Sequence, residues 1–284
     1  MAKGLMSGKV CMVTGANSGI GRATAEQLAM MGASVVIVCR NRSKGERVLS
    51  EIRSKTGGSV ELLLADFASL DSVRRLAEEF SKTHGSLPVL VNNAGVAKIR
   101  RSVTGDGFET TFQVNYLSHF LLTRLLLDTL KKSAPSRIVN VSSVSHYGGS
   151  IPLEDLQLRK GYGVMKAYSL SKLALVLFTY ELSRRLSGTG VTANCLHPGA
   201  VATNIWGNAM GPLSFLGKVS KLFLIGPDKG AETPVYLASS PDVEGVTGRY
   251  FDDKKEKKSS AESYDEKLAA ELWDRSSAMV GLSP

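Results

Sequence analysis

Two residues of this chain have the types and spacing for acid–base chemistry. Tyr168 and Lys172 lie four apart in a run from Met165 to Leu186, where Leu170, Leu173, Ala174, Leu177, Phe178 and Leu182 recur at helical spacing. Both therefore fall on one helix face. A phenol in water has a pKa near ~10. An ammonium held beside it favours the phenolate, so the spacing predicts a Tyr168 hydroxyl able to exchange a proton near neutral pH. On its own the pair is also what an amphipathic helix with an ordinary tyrosine and a solvated lysine would show. The rest of the chain decides between the two.

The elements that must position the pair alternate between strand and helix. Lys9 to Thr14 is a short apolar run that leads into Thr14-Gly15-Ala16-Asn17-Ser18-Gly19-Ile20-Gly21, and Arg22 to Met31 then reads as a helix stopped by Gly32. Such a loop either makes a tight turn or lets backbone N–H groups approach a pyrophosphate at the helix N-terminus. Ser34 to Cys39 is a second strand, after which a dinucleotide fold places the group that meets the adenosine ribose. Here Cys39 is followed by Arg40, Asn41, Arg42 and Lys44, so a ribose phosphate would meet a cation and a free 2′-hydroxyl would find no carboxylate. The same charges also suit the first turn of a helix from Ser43 to Lys55. Strand Val60 to Ala65, helix Ser69 to Thr83, strand Val89 to Val91, helix Gly107 to Lys132 and strand Arg137 to Val141 continue the alternation. This predicts an α/β fold, a doubly wound parallel sheet of the Rossmann-like kind. Asp66-Phe67, Asn92-Asn93-Ala94-Gly95 and Ser142-Ser143 each follow a strand end, where open α/β sheets bind ligands and where turn formers are also common.

Composition sets the limits. A chain of 284 residues with 43% hydrophobic content and mean hydropathy near zero buries one full core, and no linker divides it. A single domain is expected over 1–252, with a charged segment at 253–284 whose part from Tyr264 to Met279 can form a short helix. No run is apolar and long enough to span a membrane, and the N-terminus lacks a signal-peptide core. Cys11, Cys39 and Cys195 are odd in number and far apart, which fits reduced thiols in a cytoplasmic protein. The four histidines show no metal-ligand spacing. Of the net charge of +9, Lys254, Lys255, Lys257 and Lys258 supply four in a solvated segment, so no nucleic-acid partner is read from it.

Taken together, Thr14-Gly15-x-x-x-Gly19-Ile20-Gly21, Asn92-Asn93-Ala94-Gly95, Asn115, Ser142-Ser143, Tyr168-x-x-x-Lys172 and Pro198-Gly199 resemble the short-chain dehydrogenases/reductases in order and spacing, over about residues 7 to 251. Asn17-Ser18, Val38-Cys39-Arg40-Asn41, the long segment from His146 to Ala167 and His197-Pro198-Gly199 resemble the retinol-dehydrogenase-like branch. The N-terminal apolar anchor of membrane-bound members is not seen. A cytoplasmic protein is expected, with peripheral membrane contact left open.

The resemblance implies an oxidoreductase that passes a hydride between NADP(H) and a lipophilic carbonyl or alcohol. The competing class is a regulatory or scaffold protein that binds NADP(H) without turnover. As the resemblance implies, Tyr168 exchanges the proton with Lys172 lowering its pKa, Ser143 holds the substrate oxygen, and Asn115 helps hold a relay water. The cofactor would touch Gly15, Asn17, Ser18, Gly19, Ile20, Arg40, Asn41, Asp66, Phe67, Asn93, Ala94, Gly95, Tyr168, Lys172, Pro198 and Gly199, with Val201 and Thr203 on the carboxamide. The segment at about 204–226, apolar with Gly and Pro, reads as a substrate lid or a packed loop. Surplus apolar residues on the helices Gly107 to Lys132 and Met165 to Leu186 suggest a homodimer.

Overall fold

The computed structural model describes residues 4–199 and 226–284. Seven strands run parallel: β1 (Val10–Thr14), β2 (Ser34–Cys39), β3 (Val60–Leu64), β4 (Val89–Asn92), β5 (Ser136–Val141), β6 (Val191–His197) and β7 (Tyr250–Asp252). An eighth, β8 (Lys255–Lys257), turns back antiparallel on β7, and the sheet order is β3-β2-β1-β4-β5-β6-β7-β8. The order reverses between β1 and β4, which opens a crevice at the carboxyl ends of the two central strands. The sequence reading sets Cys195 in a strand-like run but gives that strand no bounds. The structure puts β6 there, paired with β5 from Val191 to Leu196.

Strand alternation divides the core into two layers. Cys11, Val13, Val35, Ile37, Val89, Val91 and Val139 point to one face, against α1 (Gly19–Met30) and α2 (Arg42–Thr56). Met12, Val36, Val38, Leu90 and Ile138 point to the other, against α3 (Leu70–Thr83). Both faces are covered, which is why the strands read as nearly continuous apolar runs. In α3, Val73, Leu76, Ala77 and Phe80 repeat at helical spacing and are all buried.

The helix expected from Gly107 to Lys132 is broken into pieces. Glu109 caps its start by accepting from the Thr111 and Phe112 amides, and α4 (Thr110–Phe112) then widens into a π-type turn at Gln113–Leu117. It continues as α5 (Ser118–Leu125) and α6 (Leu127–Lys132). Such a widening shifts the side chains that follow it and is frequent at functional sites. The helix α7 (Val164–Arg185) carries Tyr168 and Lys172 and is buried all round from Ala167 to Leu182. A short α8 (Pro227–Gly230) and α9 (Glu232–Ser239) follow, and α9 joins the α1 layer. Among the described residues no helix is long and apolar enough to cross a membrane.

The C-terminal charged segment, 253–284, packs back on the domain. After β8, a single turn at Ala261–Tyr264 leads into α10 (Glu266–Met279), which Asp265 caps by accepting from the Leu268 amide. Trp273 of α10 lies edge-on to Phe120 at 5.0 Å and beside Phe178 at 5.9 Å. The guanidiniums of Arg124 and Arg185 stand 4.8 and 4.3 Å from its ring centroid, within cation–π range. Tyr116 and Ser276 share a hydrogen bond of 2.7 Å beneath it. The apolar surplus on α5 and α7, from which a homodimer is expected, thus has an occupant in its own chain. Replacing Trp273 with Ala should destabilise the fold by about 3–5 kcal/mol, the usual cost of emptying a buried aromatic site. Urea unfolding midpoints would measure it, and a loss under about 1 kcal/mol would mean α10 contributes little to the core.

Candidate active site

The glycine loop owes its shape to two close approaches. Gly15 has φ +67°, and a Cβ there would stand 2.8 Å from Ala94 Cα. A Cβ at Gly21 would stand 2.6 Å from the Gly15 carbonyl oxygen. Only glycine fits either position. The first intrahelical bond of α1 runs from the Arg22 amide to the Ser18 carbonyl. The amides of Gly19, Ile20 and Gly21 therefore have no partner within the helix, so the loop presents N–H donors at the positive end of the α1 dipole.

Thr14, at the end of β1, joins this loop to the next strand end. Its hydroxyl accepts from the amides of Asn93 at 2.8 Å and Ala94 at 3.0 Å, while the Asn93 side chain donates to the Thr14 carbonyl at 2.8 Å. Its own proton faces two acceptors, the Val91 carbonyl at 3.3 Å and His119. His119 Nδ1 lies 3.1 Å from the Asn115 carbonyl, which can only accept, so Nδ1 carries the hydrogen and Nε2 accepts from Thr14 at 3.1 Å. Burial pushes the His119 pKa down to about 3, which keeps the ring neutral.

Together these residues enclose a cleft of about 450 Å³. Of the expected cofactor contacts, Gly15, Asn17, Ser18, Gly19, Ile20, Arg40, Asn41, Asp66, Phe67, Asn93, Ala94 and Gly95 all line it. Lys44 lines it too, although the sequence reading does not include it among the contacts; Arg42 does not, and pairs with Glu46 at 3.6 Å. Arg40 is largely exposed and stands 3.7 Å from Asp66, while the Asn41 side chain caps α2 by accepting from the Lys44 amide at 2.9 Å. Cys39 is turned inward, since a Cβ at Gly45 would lie 2.8 Å from its sulfur. The bare glycine loop and the unpaired helix amides suit a nicotinamide dinucleotide.

Ser143, Tyr168, Lys172 and Asn115 gather beyond Gly95, outside the lining of that cleft. A Cβ on Gly95 would sit 3.4 Å from Asn115 Oδ1 and 3.8 Å from Lys172 Nζ, so the two groups flank the far end of the loop. Lys172 is buried and its ammonium donates to the Val141 carbonyl at 2.8 Å. The Asn115 side chain is fully engaged. Its oxygen accepts from the Val96 amide at 2.7 Å, and its nitrogen donates to the Val96 carbonyl at 2.9 Å and to Ser171 Oγ at 3.0 Å. Ser143 lies two residues beyond β5 and hydrogen-bonds the Tyr168 hydroxyl. Pro198 and Gly199 follow β6, with Gly199 at φ +88°. Val201, Thr203 and the expected lid at 204–226, apart from Gly226, lie outside the described residues.

The electrostatics depart from the expectation. Burial pushes the Tyr168 phenol up to about 12, opposed by its hydrogen bond to Ser143. Lys172 Nζ lies 5.6 Å from the centroid of the Tyr168 ring and is aimed at Val141. Desolvation in turn lowers the Lys172 pKa to about 8. In the chain by itself, then, the lysine does not depress the phenol, because the loss of water outweighs it.

The fold and site define a family. The model of the family described as short chain dehydrogenase matches residues 9–211, and the chain belongs to that family of oxidoreductases. Within it the chain falls in the retinol-dehydrogenase-like branch. It is 48% identical to retinol dehydrogenase 14 of Mus musculus over 98% of this chain and 88% of that one. It is 43% identical to polyprenol dehydrogenase of Homo sapiens, over 96% of this chain and 86% of the other. Among solved structures, an uncharacterized protein from Mycobacterium paratuberculosis superposes with a TM-score of 0.81 at 33% identity, covering 100% of this chain and 96% of that one. A short chain dehydrogenase from Shigella flexneri complexed with NADP gives 0.73 at 25% identity, over 89% of this chain and 100% of the other.

The low Lys172 pKa carries a stability consequence. Between pH about 8 and its ordinary 10.5 the unfolded chain binds a proton that the folded chain does not, so stability from this group rises with pH across that window. Relative to Lys172→Met, the wild type should therefore gain stability from pH 8 to pH 10.5. Urea midpoints of both proteins at the two pH values test this, and a constant difference would contradict the buried ammonium.

Proposed function

We propose that this protein is an NADP(H)-dependent oxidoreductase that interconverts a lipophilic alcohol with its aldehyde or ketone. The observation that carries the reading is the meeting of Ser143, Tyr168 and Lys172 at one buried point beside the dinucleotide cleft. Two relatives named for retinol and polyprenol, both long apolar alcohols, support the substrate class. The NADP complex of a structural neighbour and the two cations at the mouth of the cleft support the cofactor.

In this reading Ser143 donates to the substrate oxygen and Tyr168 gives it a proton during reduction, or removes one during oxidation. The chemistry that a bound nicotinamide supplies is hydride exchange with the substrate carbon. Lys172 holds a positive charge within reach of the phenol, and Asn115 fixes the backbone of Val96 and the hydroxyl of Ser171 beside it. Arg40 and Lys44 would meet the 2′-phosphate.

Tyr168→Phe should lower kcat about 10²- to 10⁴-fold, the usual loss of general acid–base help, while NADPH affinity stays the same. Turnover of a medium-chain aldehyde followed by nicotinamide absorbance, beside NADPH titration, measures both; near wild-type rates would end this reading. The double change Arg40→Gln with Lys44→Gln should cut kcat/KM for NADPH tenfold to several-hundredfold and spare NADH, since each charge-assisted bond contributes roughly 1.5–3 kcal/mol. Equal use of both cofactors by the wild type would show that the two cations do not select the phosphate.

A further inference from the structure

His146 is completely buried, and the chemistry proposed above does not use it. It lies on the single turn Val144–Gly148 that follows Ser143. Its Nδ1 is 2.7 Å from the Ser143 carbonyl oxygen, which accepts, so Nδ1 carries the hydrogen. Its Nε2 then accepts from the Ser260 amide at 3.2 Å. The tautomer is fixed from both sides and the ring is neutral. Burial agrees, holding the His146 pKa below the ordinary histidine range. The rings of Tyr147 and Tyr250, 4.1 and 4.7 Å away, hem it in.

Ser260 belongs to a strap, Lys258 to Tyr264, that links β8 to α10. Its other anchors lie on this turn, just after it and on α7. The Tyr147 hydroxyl donates to the Lys258 carbonyl at 2.5 Å, and the Ile151 amide donates to Glu262 at 2.8 Å. Ser259 bonds Tyr180 on α7 and Ser263 within the strap, each at 2.6 Å. The strap lies wholly beyond residues 9–211, the part of the chain that the family model matches. Here, then, a segment beyond the part that the family model matches holds, through His146, the backbone of the residue that faces Tyr168.

We propose that His146 is a positioning residue, which couples the docked C-terminal strap to Ser143 and sets the angle at which that hydroxyl meets the substrate oxygen. The inference rests on the reading of Ser143 given above. A hydroxyl displaced by a fraction of an ångström still permits cofactor binding but weakens the hydrogen bond that matters in the transition state.

Three variants test it in NADPH-driven reduction of decanal. His146→Phe keeps a ring against Tyr147 and Tyr250 and removes both hydrogen bonds, whereas His146→Gln restores one donor and one acceptor. Ser260→Pro deletes only the amide that Nε2 accepts from, at a residue whose φ of −60° a proline adopts. His146→Phe and Ser260→Pro should lower kcat at least about tenfold with KM for NADPH unchanged, and His146→Gln should recover most of the loss. Should His146→Phe not fold, Ser260→Pro and Tyr147→Phe decide the matter by the same kcat and KM split. Unchanged kcat in these variants would overturn the inference. So would a joint fall of kcat, NADPH affinity and melting temperature that glutamine does not rescue, since that marks a merely structural residue. The two readings separate cleanly. Turnover that Tyr168→Phe leaves intact fells the reading of the site and this inference with it, while turnover lost in Tyr168→Phe but kept in Ser260→Pro fells this inference alone.

Discussion

An ammonium buried in the core is the constraint around which this molecule is arranged. Lys172 is buried, and its charge is held by the Val141 carbonyl, which accepts from the ammonium at 2.8 Å. That partner is the last residue of β5, so α7 must lie at one height above the sheet. Ser142 Oγ donating to the Lys172 carbonyl fixes that height from the strand side. Deeper in, Asn140 donates to Thr179 and accepts from Asn92, which also donates to Thr123, so β4, β5, α5 and α7 share one polar seam. Apart from that seam α7 is packed in apolar side chains, which leaves it little freedom to slide.

The hydroxyl of Thr14 is the joint between the cofactor cleft and this seam. It takes two amide protons from the β4 loop and turns its own toward the Val91 carbonyl and His119, whose other nitrogen rests on Asn115. A strand end, a loop and a helix bulge are thereby held by one oxygen. The two ends of the site are tied to one geometry because this chain of buried hydrogen bonds runs between them.

Much of this was legible in the sequence where a local rule governs the structure. Gly15 and Gly21 could be read because backbone crowding leaves no alternative, and Tyr168 and Lys172 because a spacing of four defines one helix face. The dimension that escaped is tertiary. That burial would raise the Tyr168 phenol depends on how tightly α7 is enclosed, which no spacing reveals. Telling Lys44 from Arg42 requires the phase of α2, which turns one toward the cleft and the other toward Glu46. The bounds of the strand β6 escaped because Val191-Thr-Ala-Asn-Cys-Leu-His mixes small and polar residues with apolar ones, and its Asn194 is satisfied only by the backbone of Val246 and Arg249. The charged stretch after Asp252 was read as solvated, as lysine-rich segments usually are, yet its serines and Tyr264 are what anchor it.

Without its last strand the sheet would end on β7, where Tyr250 and Phe251 are buried and the outer backbone row would stand unpaired. An open row of that kind is a template on which another chain can add a strand and begin an aggregate. The strand that closes it is three residues long, Lys255-Glu256-Lys257, and all three are exposed. Glu256 is drawn to Arg249 and Lys257 to Asp252, each within 4 Å, so the edge presents alternating charge bound to its own neighbours. The last strand therefore presents charge at the sheet edge and leaves an incoming strand nothing apolar to pair with.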